Sequence, residues 1–104
     1  MNRDFRIAKL LEIKASKLSD PSPVYMLALE YLQNNDIGEA EKYFSELLLS
    51  FPDYLPTYYQ YGKLLEEKSD LKNAENTYKN GILLAEKLGD KKTKSELEEA
   101  IFLL

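Results

Sequence analysis

Apolar residues in the middle of this chain return every three or four positions. After Asp36 they fall at Ile37, Ala40, Phe44, Leu47, Leu48 and Phe51; after Asp70, at Leu71, Ala74, Tyr78, Ile82, Ala85 and Leu88. That spacing places each set on one face of an α-helix. No segment has the sustained alternation of a half-buried strand. Breaks come at Ser19-Asp20-Pro21-Ser22-Pro23, Asn34-Asn35-Asp36, Phe51-Pro52-Asp53, Lys68-Ser69-Asp70 and Gly89-Asp90. The stretches between them are rich in the helix formers Leu, Ala, Glu and Lys. Asp36 and Asp70 suit N-caps, because a carboxylate there accepts hydrogen bonds from N–H groups that the first turn leaves unpaired. Glu39, three residues after Asp36, strengthens that start. Gly89 is placed to end its helix in a left-handed conformation. Thr93 with Glu96 reads as a capping box opening a last helix that carries Leu97, Ala100, Ile101 and Leu104. Six helices are expected, over 3–18, 22–34, 37–50, 55–68, 71–88 and 93–103.

The chain also resembles itself. Residues 21–54 align with 55–88 without a gap at a shift of 34. Tyr25/Tyr59, Asp36/Asp70, Ala40/Ala74, Glu41/Glu75 and Leu49/Leu83 are identical, and Ile37/Leu71, Ala28/Gly62, Phe44/Tyr78 and Leu48/Ile82 keep size or character. Small residues recur as Ala28, Ala40, Gly62 and Ala74, which is what two closely crossing helices require. Gly62 inside a helix costs about 1 kcal/mol relative to Ala, and a close crossing would justify it.

This 34-residue helix–turn–helix resembles the tetratricopeptide repeat, whose signature sets Trp, Leu-Gly and Tyr at fixed spacing, then Ala and Phe four apart, then Pro. The first unit has Val24 at the Trp position, Leu27-Ala28 and Tyr31 after it, and Ala40, Phe44 and Pro52 to complete the pattern. The second has Tyr58, Tyr61-Gly62, Leu65, Ala74 and Tyr78, but Glu86 stands where Pro is usual, so its second helix should run on to about Leu88. The resemblance implies an all-α fold, a right-handed α-solenoid of two tandem helix–turn–helix units flanked by further helices. One domain over 1–104 is expected: a leading helix in 1–20, repeats at 21–54 and 55–88, and a capping helix in 89–104. Each repeat buries its face against a neighbour, so the flanking helices are needed to cover the ends. The leading helix is not a clean half-repeat, because Arg6 falls where a small residue would match Ala40. In the last helix Phe102 and Leu103 widen the apolar surface beyond one stripe; burial under the second repeat is the expectation, and an oligomer contact the alternative.

Composition narrows the chemistry. Within 104 residues there is no Cys and no His, which removes thiolate chemistry, the commonest general base and the commonest metal ligand. No serine lies in a nucleophile-elbow pattern, the four glycines are isolated, and the carboxylates sit among lysines as a solvated face would have them. Neither an enzyme, a metal site nor a cofactor is expected. A net charge of −4 is a poor match for nucleic acid. The longest apolar runs, Leu47-Leu48-Leu49 and Ile101 to Leu104, are too short to span a membrane, and Arg6, Lys9, Glu12 and Lys14 interrupt any leader-like core. A cytoplasmic protein is the expectation.

Recognition of a protein or peptide is what the resemblance then implies, in the role of an adaptor, scaffold or assembly factor. The first helix of each repeat would line a concave groove with Ser22, Tyr25, Leu29 and Gln33 from one unit and Tyr59, Lys63 and Glu66 from the other. Two readings of the periodic Tyr25 and Tyr59 stand: large rigid contact surfaces for a partner, or packing inside the solenoid. Family members that clamp chaperone tails use a Lys–Asn–Lys–Arg set; here Tyr25 and Leu29 occupy matching positions and only Lys63 is cationic, so that role is not expected. A monomer is expected, with homodimerisation through the C-terminal helix as the alternative and an enzyme's accessory subunit as a remote one.

Overall fold

The computed structural model describes residues 2–104, which hold six α-helices: α1 Arg3–Ser16, α2 Pro21–Gln33, α3 Ile37–Ser50, α4 Pro56–Glu67, α5 Leu71–Leu88 and α6 Lys91–Phe102. No described residue lies in a strand. Every helix end falls within two residues of its expected place, and α5 runs unbroken to Leu88 as the missing proline implied. Two compact units emerge, one ending at Tyr54 and one spanning Leu55–Leu104. In the first, α2 packs on α1 and α3; in the second, α5 packs on α4 and α6.

The three tight corners within the units share one construction. The residues Asn35, Ser69 and Gly89 have φ of 59°, 62° and 72°, the left-handed region. Their N–H groups donate to the carbonyls of Leu32, Glu66 and Glu86 at 3.0, 2.9 and 3.1 Å. The next N–H groups, of Asp36, Asp70 and Asp90, donate to Tyr31, Leu65 and Ala85, each at 2.9 Å. This double closure satisfies carbonyls that the helix end would otherwise leave unpaired. Each Asp then caps the following helix, accepting from the N–H of Glu39, Asn73 or Thr93 at 3.4, 3.3 and 3.0 Å. The last of these corrects the expectation for α6. Thr93 does not cap it; Asp90 does, and the Thr93 hydroxyl donates back to Asp90 at 2.8 Å. Helix α2 likewise starts one residue earlier than expected, with Asp20 as cap and Pro21 in the first turn, where its missing N–H has no partner to lose.

Ser69 is the least suited of the three corner residues, since an L-residue in that region pays about 1–2 kcal/mol that Asn and Gly partly escape. Ser69→Asn, the residue used at the equivalent corner Asn35, should therefore raise stability by about 0.5–1 kcal/mol in urea unfolding.

Small residues do mark the helix crossings. Ala28, Ala40 and Ala74 are fully buried, beside Leu27, Phe44 and Leu47 in the first unit and Tyr78 and Leu97 in the second. The two units differ where side chains meet. Phe44 of the first becomes Tyr78 in the second, and Leu32 becomes Glu66, whose carboxylate accepts the Tyr78 hydroxyl. A hydroxyl carried into a fully buried ring needs an acceptor, and Glu66, half-buried at the end of α4, supplies it. Burial, and then the hydrogen bond to Glu66, pushes the Tyr78 phenol far above its ordinary pKa, so the hydroxyl remains the donor. We expect Glu66→Leu alone to cost about 1–3 kcal/mol, because it orphans that hydroxyl, and Tyr78→Phe alone about 1 kcal/mol. The double variant, which installs the first unit's pair, should lie within about 0.5 kcal/mol of the parent; additive losses in a double-mutant cycle would contradict the pairing.

At its start the first unit is closed by charge rather than by small residues. Arg6 extends from α1 to Glu30 on α2 with contacts of 2.7 and 3.2 Å. Lys14 reaches Glu46 of α3 at 3.1 Å, and the Arg3 guanidinium stands 5.4 Å from the Tyr31 ring centre. The long Arg6 side chain is thus what α1 uses where a repeat would place Ala. At the other end the expected burial of Phe102 and Leu103 does not occur: they are 87% and 67% exposed. Only Leu97 and Ala100 of α6 are buried, because they share the face that meets α5.

Candidate functional site

In the first unit the expected groove residues lie along α2. Tyr25 is half-buried and meets Tyr54 edge-on, with ring centres 5.5 Å apart and planes at 68°. One and two turns on, Leu29 and Gln33 line a cleft of about 300 Å³ between α1 and α2. Its floor is Leu10 and Leu29 with Met26, which is 51% exposed; the Arg6–Glu30 pair, Lys9 and Gln33 form the rim. The Arg6 hydrogen bond holds the Glu30 carboxyl below its ordinary pKa, so the pair stays ionised at neutral pH. Met26 is the residue that sequence reasoning missed. Its signal is present: it precedes Leu29 by three residues and so shares a helical face with it. An unbranched thioether on an open apolar floor can adapt to differently shaped occupants.

The second unit offers less. Tyr59 is half-buried, its ring centre 6.4 Å from that of Tyr78 at an angle of 47°. The Lys63 ammonium lies 5.4 Å from the centre of the Tyr59 ring and 3.6 Å from Glu66. Tyr59 and Lys63, with Glu96 and Glu99 of α6 and Leu103 just after it, border a smaller cleft of about 130 Å³ between α4 and α6. Glu66 is engaged internally with Tyr78 and Lys63. Both tyrosines of the periodic pair are therefore anchored by an aromatic neighbour within their own unit, while Leu29, Gln33 and Lys63 border open space.

Among the described residues no group of three or more His, Cys, Asp or Glu side chains could hold a metal ion. No described helix is long and apolar enough to cross a membrane.

The tetratricopeptide repeat pattern matches residues 22–54 and again 55–88. The chain belongs to the tetratricopeptide repeat family. Two solved structures of a tetratricopeptide repeat domain protein from Salinibacter ruber are similar to it over 80% of this chain at 40% sequence identity. A crystal structure gives a TM-score of 0.75 over 92% of its own chain, and a solution NMR structure 0.77 over 84%. No curated protein matches the chain. Repeats of this family generally mediate protein–protein interaction and are typically non-catalytic.

Proposed function

We propose that this chain is a non-catalytic adaptor or assembly factor that takes a peptide or partner helix on the open face of α2. The observation that carries this reading is the cleft of about 300 Å³ beside α2, with an apolar floor and a charged rim. A partner that places one or two apolar side chains on Met26 and Leu29 would gain about 1.5–3 kcal/mol for each that is fully buried. The Gln33 amide and the rim charges would fix its orientation. Glu66 is left out of the proposed surface because its carboxylate is already engaged by Tyr78.

Peptides selected against the full chain from a displayed library test this. Titrated into the isotope-labelled protein, they should shift the amide signals of Met26, Leu29 and Gln33. Met26→Glu should weaken them at least tenfold, about 1.4 kcal/mol, while the melting temperature stays nearly unchanged. Shifts confined to the outward Leu49 and Leu83, 85% and 65% exposed on α3 and α5, would move the site elsewhere.

A second reading, self-association through the C-terminal helix, is favoured by the exposure of Phe102 and Leu103.

A further inference from the structure

We infer that the cleft between α1 and α2 receives the C-terminal end of α6 from a second copy of this chain, with Phe102 as the inserting side chain. The inference rests on the reading of that cleft as a protein-binding surface and names its occupant. Three observations carry it. The first is an exposed apolar group: Phe102 is 87% exposed, Leu103 67% and Leu104 39%, three consecutive large side chains at one end of the second unit. Single exposed apolar residues are ordinary, whereas a contiguous group marks a contact surface.

The second is fit. An apolar space of about 150 Å³ is enough for a benzene ring. The α1–α2 cleft, at about 300 Å³ with Leu10, Met26 and Leu29 as its floor, admits the Phe102 ring together with part of a neighbouring side chain.

The third is charge. Helix α1 carries Arg3, Arg6, Lys9 and Lys14 against only Asp4 and Glu12. From Ser95 onward α6 carries Glu96, Glu98 and Glu99 and no cation. Glu98 and Glu99 lie four and three residues before Phe102, so they share its side of the helix and would arrive at the cleft rim with it. There Glu30 is already neutralised by Arg6 at 2.7 Å, and among the described residues Lys9 is held only by an exposed contact of 3.8 Å to Glu12. The same carboxylates disfavour the simplest alternative, two C-terminal ends meeting each other, since that would gather like charges around the apolar group. The two surfaces differ, so the contact is head-to-tail and adds copies in series unless the series closes into a ring.

Sedimentation velocity on the full chain, from about 1 μM to about 1 mM, reads this out. The parent should show an average mass that rises with concentration. Phe102→Glu, at a position with no packing to lose, and Met26→Glu should each weaken association at least tenfold. Lys9→Glu, on an exposed side chain, is the second variant for the cleft and does not depend on how Met26→Glu folds. Mixed in equal amounts, Phe102→Glu and either cleft variant should form a 1:1 dimer and nothing larger, because each keeps the surface the other lacks. A mixture that stays monomeric overturns the head-to-tail contact. A parent that stays monomeric throughout overturns self-occupancy; if selected peptides still shift Met26 and Leu29, the cleft remains a binding surface for another protein. Failure of both the peptides and the parent to engage the cleft removes the functional reading as well.

Discussion

Gly62→Ala should lower the melting temperature by roughly 10 °C, although alanine is the better helix former by about 1 kcal/mol. A methyl group built at Gly62 would overlap the Tyr78 ring, with Cζ 2.6 Å and Cδ1 2.7 Å away. The ring has little room to retreat. It is fully buried, and its hydroxyl is tied to Glu66 on the same helix as Gly62. Overpacking of this kind typically costs 1–3 kcal/mol; taking the upper end and allowing for the gain in propensity leaves a net loss of about 2 kcal/mol. Far-UV circular dichroism against temperature measures it. Tyr78→Leu introduced into the Gly62→Ala chain should recover part of the loss, as it removes the ring that the methyl strikes. An unchanged or raised melting temperature for Gly62→Ala would mean that helix propensity, rather than the close crossing, governs this site.

A larger loss, about 3 kcal/mol or more, is expected for Gly81→Leu. This change copies the first unit, where Leu47 is fully buried at the equivalent position and Val24 stands where the second unit has Tyr58. The second unit has exchanged volume between the two positions. A Cβ at Gly81 would lie 2.7 Å from the Tyr58 Cβ and 2.9 Å from Leu97 Cδ1. The Tyr58 Cβ is fixed to its backbone, so α4 itself must move, and Leu97 is the fully buried anchor of α6. Amide hydrogen exchange should show α6 losing protection first. Adding Tyr58→Val should restore a part of the stability, since it returns the side-chain volume to the arrangement of the first unit. Equal loss with and without Tyr58→Val would refute the exchange.

Those two sites also mark where sequence reasoning stops. The helices, the left-handed Gly89, the caps at Asp36 and Asp70 and the small residues at the crossings were legible because each depends on local chemistry or on a repeating spacing. Asp90 was overlooked as a cap although it follows Gly89 just as Asp36 follows Asn35; the Thr93–Glu96 pattern was a competing local signal that the chain does not use. The Val24–Leu47 to Tyr58–Gly81 exchange joins residues 23 positions apart in each unit, so neither periodicity nor propensity reveals it. Arg6 stood out as an irregularity without an explanation, because its partner Glu30 is brought to it only by the packing of α1 on α2. Of the candidate surface, Leu29, Gln33 and Lys63 could be placed from helical facing alone, and they do border open clefts. Leu10 could not, since a cleft is defined by two helices and the facing of α2 leaves the contribution of α1 open; Met26, on the same face of α2 as Leu29, could have been. For Phe102 and Leu103, hydrophobicity argued for the interior, while the buried face of α6 was already taken by Leu97 and Ala100.

The corners at Asn35-Asp36, Ser69-Asp70 and Gly89-Asp90 bear on how the chain reaches this structure. They join helices that are consecutive in sequence, and the main helix pairs in both units are all consecutive ones. No such pair has to wait for a distant segment to arrive, so loop closure takes little entropy and folding belongs with the microsecond-to-millisecond class of local topologies. Each hairpin can form around its own corner before the rest of the chain has settled, as suits a chain of successive helical repeats.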